Sequence, residues 1–381
     1  MAANLRPFAT SVGPLLGQIR AGVHLDGASA GLLVTLPVLC FGIVAPVAPM
    51  LSRRLGIART VALAVATLTA GLVLRVAGGV AALFVGTMVA AAGAACGNVL
   101  LPVIVRRSFP ARIGRISALY TTSLVAVAAL AAGLTVPLAK LIGHGWRGGL
   151  GVWALPAAVA LLVWVPQLRR RHAAADERRG GHARVRDVTR DPLTWWLTLF
   201  FGVQSWSYYS MLAWQPSIFE SHGIGATSAG FLLGFSSVLA IPGALAAPAL
   251  AARMRSQGWM VFWLTIVVIG GYIGLDSAPT AAPALWVALI GLGQGACFPL
   301  ALTMIVLRSG SPRLTPAVST HVQSIGYLIA ASGPITIGAL HDATGSWMLP
   351  LAVLTALLVP QALTGLAAGR ARVIESSGAQ R

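Results

Sequence analysis

Carboxylates are scarce in this sequence: nine Asp and Glu stand against 27 Lys and Arg in 381 residues. All of them, Asp26, Asp176, Glu177, Asp187, Asp191, Glu220, Asp276, Asp342 and Glu375, fall between apolar runs or at their ends. None is therefore placed inside a run to carry a proton across a membrane. Cysteine is sparse too. Cys40, Cys96 and Cys297 lie singly in apolar stretches, without the paired spacing of a disulfide framework or a zinc site, and are expected to be small buried side chains. The Gly-x-x-x-x-Gly-Lys-Ser/Thr loop that cradles nucleotide phosphates is missing, which excludes direct powering by a P-loop ATPase. A membrane-embedded enzyme would need a paired His or Asp cluster, a His-Glu-x-x-His or a Gly-x-Ser-x-Gly, and none of these is expected to serve in this chain. No cofactor and no metal is expected. The N-terminus has no basic segment leading into a clean apolar stretch and a small-residue cleavage site, so insertion is expected to rely on the first spanning run.

What the chain has in plenty is apolar length. Hydrophobic residues make up 57% and charged residues 9%, with a mean hydropathy of +0.81. The sequence breaks into apolar runs of about 18 to 25 residues, long enough to cross a bilayer as helices. Arginines fill every second gap: Arg53, Arg54 and Arg59; Arg106, Arg107, Arg112 and Arg115; eight from Arg169 to Arg190; Arg253 and Arg255; Arg308 and Arg313; then Arg370, Arg372 and Arg381. These gaps hold 22 of the 27 basic residues, leaving Arg6, Arg20, Arg75, Lys140 and Arg147. Such alternation is the positive-inside pattern, so the arginine-rich gaps and both chain ends are expected in the cytoplasm and the protein in the inner (plasma) membrane. A net charge of +18 would suggest nucleic acid in a soluble protein. Here the charge belongs to topology and anionic lipid, and the lipid bilayer, not nucleic acid, is the expected partner.

Twelve spans are expected, over residues 4–19, 28–51, 60–76, 81–105, 117–141, 148–168, 193–218, 227–252, 259–275, 282–307, 316–340 and 348–368. This gives an all-α membrane protein of two six-helix bundles, 1–168 and 193–368, joined by a cytoplasmic linker, 169–192, and ending in a cytoplasmic tail, 369–381. The first run is about 24 Å of helix against a core of about 30 Å, so this span is expected to be a truncated helix. The halves also repeat each other. Ser29-Ala30-Gly31 returns as Ser228-Ala229-Gly230 and Pro49 as Pro248; Ala95-Cys96 returns as Ala296-Cys297, Arg107-Ser108 as Arg308-Ser309, and Trp146 as Trp347. In-order matches at a shift near 200 residues indicate two repeats of the same orientation, with binding expected between them at mid-membrane. Cys96 and Cys297, as repeat partners, are expected at similar depth near the central axis.

Two six-helix halves around a basic loop resemble the major facilitator superfamily. Local strings narrow the resemblance: Asn4-Leu5-Arg6-Pro7 with Thr10-Ser11-Val12-Gly13-Pro14-Leu15-Leu16, Thr35-Leu36-Pro37-Val38-Leu39-Cys40-Phe41-Gly42, Gly97-Asn98-Val99-Leu100-Leu101-Pro102, Gln323-Ser324-Ile325-Gly326-Tyr327-Leu328 and Gly345-Ser346-Trp347. These are similar to the cyanate and 2-nitroimidazole permease family, whose pattern carries about half a helix more before Asn-Leu-Arg-Pro. The superfamily's loop between the second and third helices is altered in the manner of that subgroup, with Pro49 at its glycine position and Arg53 at its acid, leaving Arg54, Gly56 and Arg59. The resemblance implies a secondary active transporter, a monomer working on a small-molecule substrate by alternating access.

Arg6 is the foremost substrate-binding candidate. An arginine near mid-membrane is costly and faces a cavity or a partner, unless it snorkels from a helix end. As a fixed charge with a planar fork it suits a cyanate-like, carboxylate-like or nitroimidazole-like solute. Asn4 and Thr10 are expected to add donors beside it. Gln204 and Tyr208 share a face of the seventh helix, Asn98 stands in the fourth, Gln294 in the tenth, and Gln323 with Tyr327 in the eleventh. For Asn98, Gln294 and Gln323 interhelical hydrogen bonding is the alternative role. His321, inside the eleventh span, is the candidate for proton coupling. The rival functions are a drug or metabolite efflux carrier and, more distantly, a membrane-embedded enzyme or a channel.

Overall fold

The computed structural model describes residues 1–25, 27–168 and 185–375, so most of the expected linker and the last six residues of the tail lie outside the described residues. Among the described residues the helices follow one another as twelve successive traverses. The first is not one helix but a chain of short pieces: a 3-10 turn at Ala2–Asn4, α1 (Pro7–Thr10), a 3-10 turn at Gly13–Leu15, and α2 (Leu16–Val23). Its breaks follow from the sequence, since Pro7 and Pro14 have no N–H to donate to the turn before them. The second traverse is also interrupted, α3 (Gly27–Val44) and α4 (Val47–Leu55), with a bend of 53° at Ala45-Pro46. Gly56, at φ +81°, then lets the chain turn directly into α5 (Ile57–Leu74). There follow α6 (Val80–Ser108), α7 (Ile113–Ile142), and a sixth traverse split into α8 (Gly145–Gly151) and α9 (Ala154–Leu168). After a short α10 (Val185–Val188), the second half runs α11 (Pro192–Ser221), α12 (Ala226–Ala251), α13 (Gly258–Ser277), α14 (Pro283–Arg308), α15 (Thr315–Thr344) and α16 (Met348–Ala368). Asp191 caps α11 by accepting the Leu193 N–H at 2.9 Å, with Pro192 at the first helical position.

Among the described residues, eight helices are long and apolar enough to cross a membrane, nine with the bent α3–α4 pair. The three traverses that fall short are the broken first one, α11 and α15, which are the ones carrying Arg6, Tyr208 and Tyr327. Polar content inside a spanning helix marks a cavity or a seam rather than a lipid face.

The repeat seen in the sequence is built into the packing at a constant shift of 200 residues. A Cβ on Gly71 of α5 would lie 2.2 Å from Ala90 N of α6, and one on Gly271 of α13 would lie 2.7 Å from Ile290 Cγ1 of α14. A Cβ on Gly93 would likewise lie 2.5 Å from Leu68 N, and one on Gly293 2.4 Å from Val268 Cγ2. The third and fourth traverses thus meet as the ninth and tenth do, through small residues that allow close backbone approach.

Between the halves, α3 packs on α15 and α7 on α12. Proline shapes both contacts. Pro46 and Pro248 lack the N–H that would bond to the carbonyl four residues earlier, leaving Gly42 O and Ala244 O free. Ser324 of α15 donates to Gly42 O at 2.7 Å, and the Thr121 hydroxyl of α7, 2.7 Å from Ser117 O of its own helix, also lies 3.1 Å from Ala244 O. Nearer the arginine-rich end, Arg106 donates to Ser309 O at 3.3 Å. Cys96 and Cys297, expected at similar depth near the central axis, each turn into their own half. Cys96 packs with Ala45, Val61 and Val65 of its own half, and Cys297 lies 3.9 Å from Gln361 Nε2 of α16.

Candidate substrate site

Arg6 immediately precedes Pro7, the first residue of α1, and its carbonyl takes the Thr10 N–H at 3.1 Å and the Thr10 hydroxyl at 3.3 Å. Its guanidinium crosses to the other half. Nη1 donates to Tyr209 OH of α11 at 3.3 Å, and Cζ stands 4.6 Å above the Phe298 ring of α14. The arginine is half-buried. Only the Tyr209 hydroxyl accepts one of its five N–H donors, and no carboxylate pairs with it, among the described residues.

Aromatic rings surround this charge. Tyr209 meets Tyr208 edge-on at 5.3 Å between centroids, Phe298 meets Phe201 at 5.9 Å, and Phe201 meets Tyr327 at 5.0 Å. Phe41 of α3 lies 5.1 Å from Tyr327 and 6.1 Å from Phe8. The result is an apolar wall with phenol and guanidinium groups at its edge, the composition of a small-ligand pocket.

Below it, toward the arginine-rich end, runs a polar seam. Asn98 Nδ2 of α6 donates to Tyr327 OH at 2.8 Å and Gln323 Oε1 at 2.9 Å, Gln323 Nε2 donates to Ser319 Oγ at 2.8 Å, and Ser319 Oγ donates to Val99 O at 3.0 Å. Asn98 is about 15 Å from the end of α6 at 1.5 Å per residue, so this fully buried network joins the halves between mid-membrane and the arginine-rich face. Three candidates read from sequence, Asn98, Gln323 and Tyr327, are thus brought together.

The others sit apart. Gln294 Nε2 donates to Ser207 Oγ at 2.9 Å, Ser207 Oγ and Tyr272 OH are 2.7 Å apart, and Gln204 Nε2 reaches Gln294 Oε1 at 3.4 Å. This network lies inside the second half, between α11, α13 and α14, where its members satisfy one another. Asn4 Nδ2 donates to Pro156 O at 3.2 Å, tying the chain start to α9. His321 is buried with its ring edge-on to Trp195 at 4.8 Å, on the α11 side of α15. Phe298, just before Pro299, is not marked by the sequence, whereas Tyr209 belongs to the polar and aromatic stretch around Tyr208 without being distinguished from it. The letters Gly27-Ala28-Ser29-Ala30-Gly31 match a Gly-x-Ser-x-Gly nucleophile elbow. They lie within α3, not on the strand-to-helix turn that strains and exposes such a serine.

A family model described as Major Facilitator Superfamily matches residues 5–334. The chain is 41% identical to the uncharacterized transporter YycB of Bacillus subtilis (strain 168) over 382 residues, covering 100% of this chain and 94% of that one. It is 38% identical to the 2-nitroimidazole transporter of Escherichia coli (strain K12), covering 98% and 94%, and 29% identical to the cyanate transport protein CynX of the same organism, covering 91% and 89%. Among solved structures, the proton:xylose symporter XylE superposes with a TM-score of 0.74 over 100% of this chain and 97% of that one; at 12% identity this likeness shows the fold.

Proposed function

As the chain belongs to the major facilitator superfamily, we propose that it is a secondary carrier for a small polar or anionic solute, with Arg6 as the charge that receives it. The observation that carries this reading is the state of Arg6. A full positive charge stands where the two halves meet, beside aromatic rings, with one phenol oxygen and no carboxylate as partner among the described residues. A half-buried cation without a counter-ion inside a membrane is costly, and a bound anion or a polarised nitro group lowers that cost. The names of the relatives agree: cyanate is a small linear anion, and 2-nitroimidazole carries a planar nitro group.

Alternating access then assigns a role to the Asn98–Gln323–Tyr327 seam. It holds the arginine-rich side closed while Arg6 is reached from the opposite side, and it separates when the halves rock the other way. Because Tyr327 is both a seam member and part of the aromatic wall, occupation beside Arg6 acts on the seam through that ring.

The test is uptake into proteoliposomes of cyanate, benzoate and 2-nitroimidazole. Uptake that saturates with concentration, and that falls on Arg6→Ala with protein abundance unchanged, supports the carrier. Uptake linear in concentration indicates a channel, and uptake equal in wild type and Arg6→Ala removes Arg6 from the site.

A further inference from the structure

Arg75 is the largest fully buried side chain among the described residues, a full charge at 0% exposure just past the end of α5. Positive-inside reasoning leaves it among the few basic residues outside the arginine-rich gaps and gives it no task. Its partners are specific. Nη1 donates to Phe8 O at 2.6 Å, Nη2 donates to Leu150 O at 2.9 Å, and Nη2 lies 3.5 Å from Ser11 Oγ. Both carbonyls sit at interruptions of helices. In the first traverse, Val12 N bonds to Ala9 O at 3.2 Å, one residue short of the Phe8 carbonyl an α-helix would use. Leu150 belongs to the last turn of α8, just before the break that separates it from α9. The carbonyls at such ends need donors, and a cation meets them better than a neutral group.

The second half has no such arrangement. At the shift of 200 residues Arg75 corresponds to Leu275, fully buried, and Gly86, against which the Arg75 backbone packs, corresponds to Trp286. The charge is therefore not a requirement of the shared scaffold. It accompanies the broken first traverse, which is the element that carries Arg6.

We infer that Arg75 is a positioning residue: its guanidinium occupies the break in the first traverse as a tethered cation, binds α1 to the sixth traverse, and thereby sets where Arg6 stands. The inference rests on the proposed role of Arg6, and it reaches transport only through that residue. Arg6 lies two residues before Phe8, whose carbonyl Arg75 holds, while the Arg6 guanidinium itself donates to Tyr209 OH of the other half. Lysine in place of Arg75 keeps the charge but has a single nitrogen, which cannot reach Phe8 O and Leu150 O in the same planar fork.

The experiment combines cyanate uptake by proteoliposomes with the distance between nitroxides at positions 9 and 163, which reports the placement of α1 whether or not cyanate is a substrate. Arg75→Lys is expected to broaden or shift that distance and to raise KM for cyanate about tenfold with Vmax kept, as loss of a charge-assisted hydrogen bond does. In Arg75→Ala, added guanidinium ion is expected to restore both readouts; if that variant does not fold, Ser11→Ala takes its place with a smaller shift in the same direction. In an Arg6→Ala background, Arg75→Lys is expected to cause no further rise in KM. An unchanged distance in Arg75→Lys, or a KM effect that multiplies undiminished in the Arg6→Ala background, overturns the inference. A shifted distance in Arg75→Lys together with unchanged uptake in Arg6→Ala keeps the clamp and discards the substrate role of Arg6.

Discussion

The two half-bundles share a scaffold and differ in chemistry. Their third and fourth traverses, like the ninth and tenth, meet through glycines 200 residues apart, Gly71 with Gly271 and Gly93 with Gly293. Their first traverses do not match. In the first half this traverse is broken into short pieces that carry Arg6 and are held by Arg75. In the second half it is the continuous 30-residue α11, whose buried polar groups, Gln204 and Ser207, are neutral and bond to Gln294 and Tyr272. A repeat can thus keep its packing while one copy alone supplies the charge. Neutral groups pair among themselves inside a membrane, whereas a cation with no carboxylate beside it is suited to pairing with an anion.

If the scaffold is common property, damage to either copy should be alike. Gly71→Leu and Gly271→Leu each push a side chain into neighbouring helix atoms, and each is expected to cost on the order of 3 kcal/mol, read as loss of monodisperse protein in detergent. Strong damage from one and none from the other would break the comparison. The neutral network should matter to stability only. Gln294→Leu is expected to destabilise by about 1–2 kcal/mol in thermal melts, because Ser207 and Tyr272 lose a donor, with the KM for solute unchanged. A rise in KM without a fall in melting temperature would move this network into the site. The proline-freed carbonyls offer a finer test: Ser324→Ala and Thr121→Val remove the hydroxyls facing Gly42 O and Ala244 O. Each is expected to cost about 0.6 kcal/mol, typical of interhelical bonds in membranes, and to shift the equilibrium toward separation at the arginine-rich side, read by cysteine accessibility at position 98 or 319. The smallest effect is expected from Thr10→Ala, a few tenths of a kcal/mol, since its hydroxyl bonds only to its own turn.

Much of this organisation was legible beforehand, and the reasons are local. Run lengths and arginine placement marked the traverses because a bilayer fixes helix length and loop charge. Shifted matches such as Trp146 with Trp347 marked the repeat because equivalent contacts demand equivalent residues; both are buried. Arg6 stood out because charge inside an apolar run is rare. The break in the first traverse was hidden, although Pro7 and Pro14 were in view, because proline inside a spanning helix often only bends it, as at Pro102 within the unbroken α6. Gln204 and Gln294 were indistinguishable from Asn98 and Gln323 by type and depth. What separates them is which neighbour each side chain meets, and that depends on helix rotation, which a polar residue in a uniformly apolar run does not fix. Arg75 stands near a run's end, where an arginine ordinarily reaches water; its acceptors come from breaks in two other traverses.

Whether Arg6 receives the solute is read from equilibrium binding of benzoate to purified wild type, Arg6→Lys and Arg6→Ala, measured calorimetrically alongside a thermal melt. Loss of a charge-assisted pair of about 1.5–3 kcal/mol should weaken binding about 10- to 150-fold in Arg6→Ala, with Arg6→Lys between and the melting temperatures close to wild type. Binding of equal strength in wild type and Arg6→Ala would contradict the account.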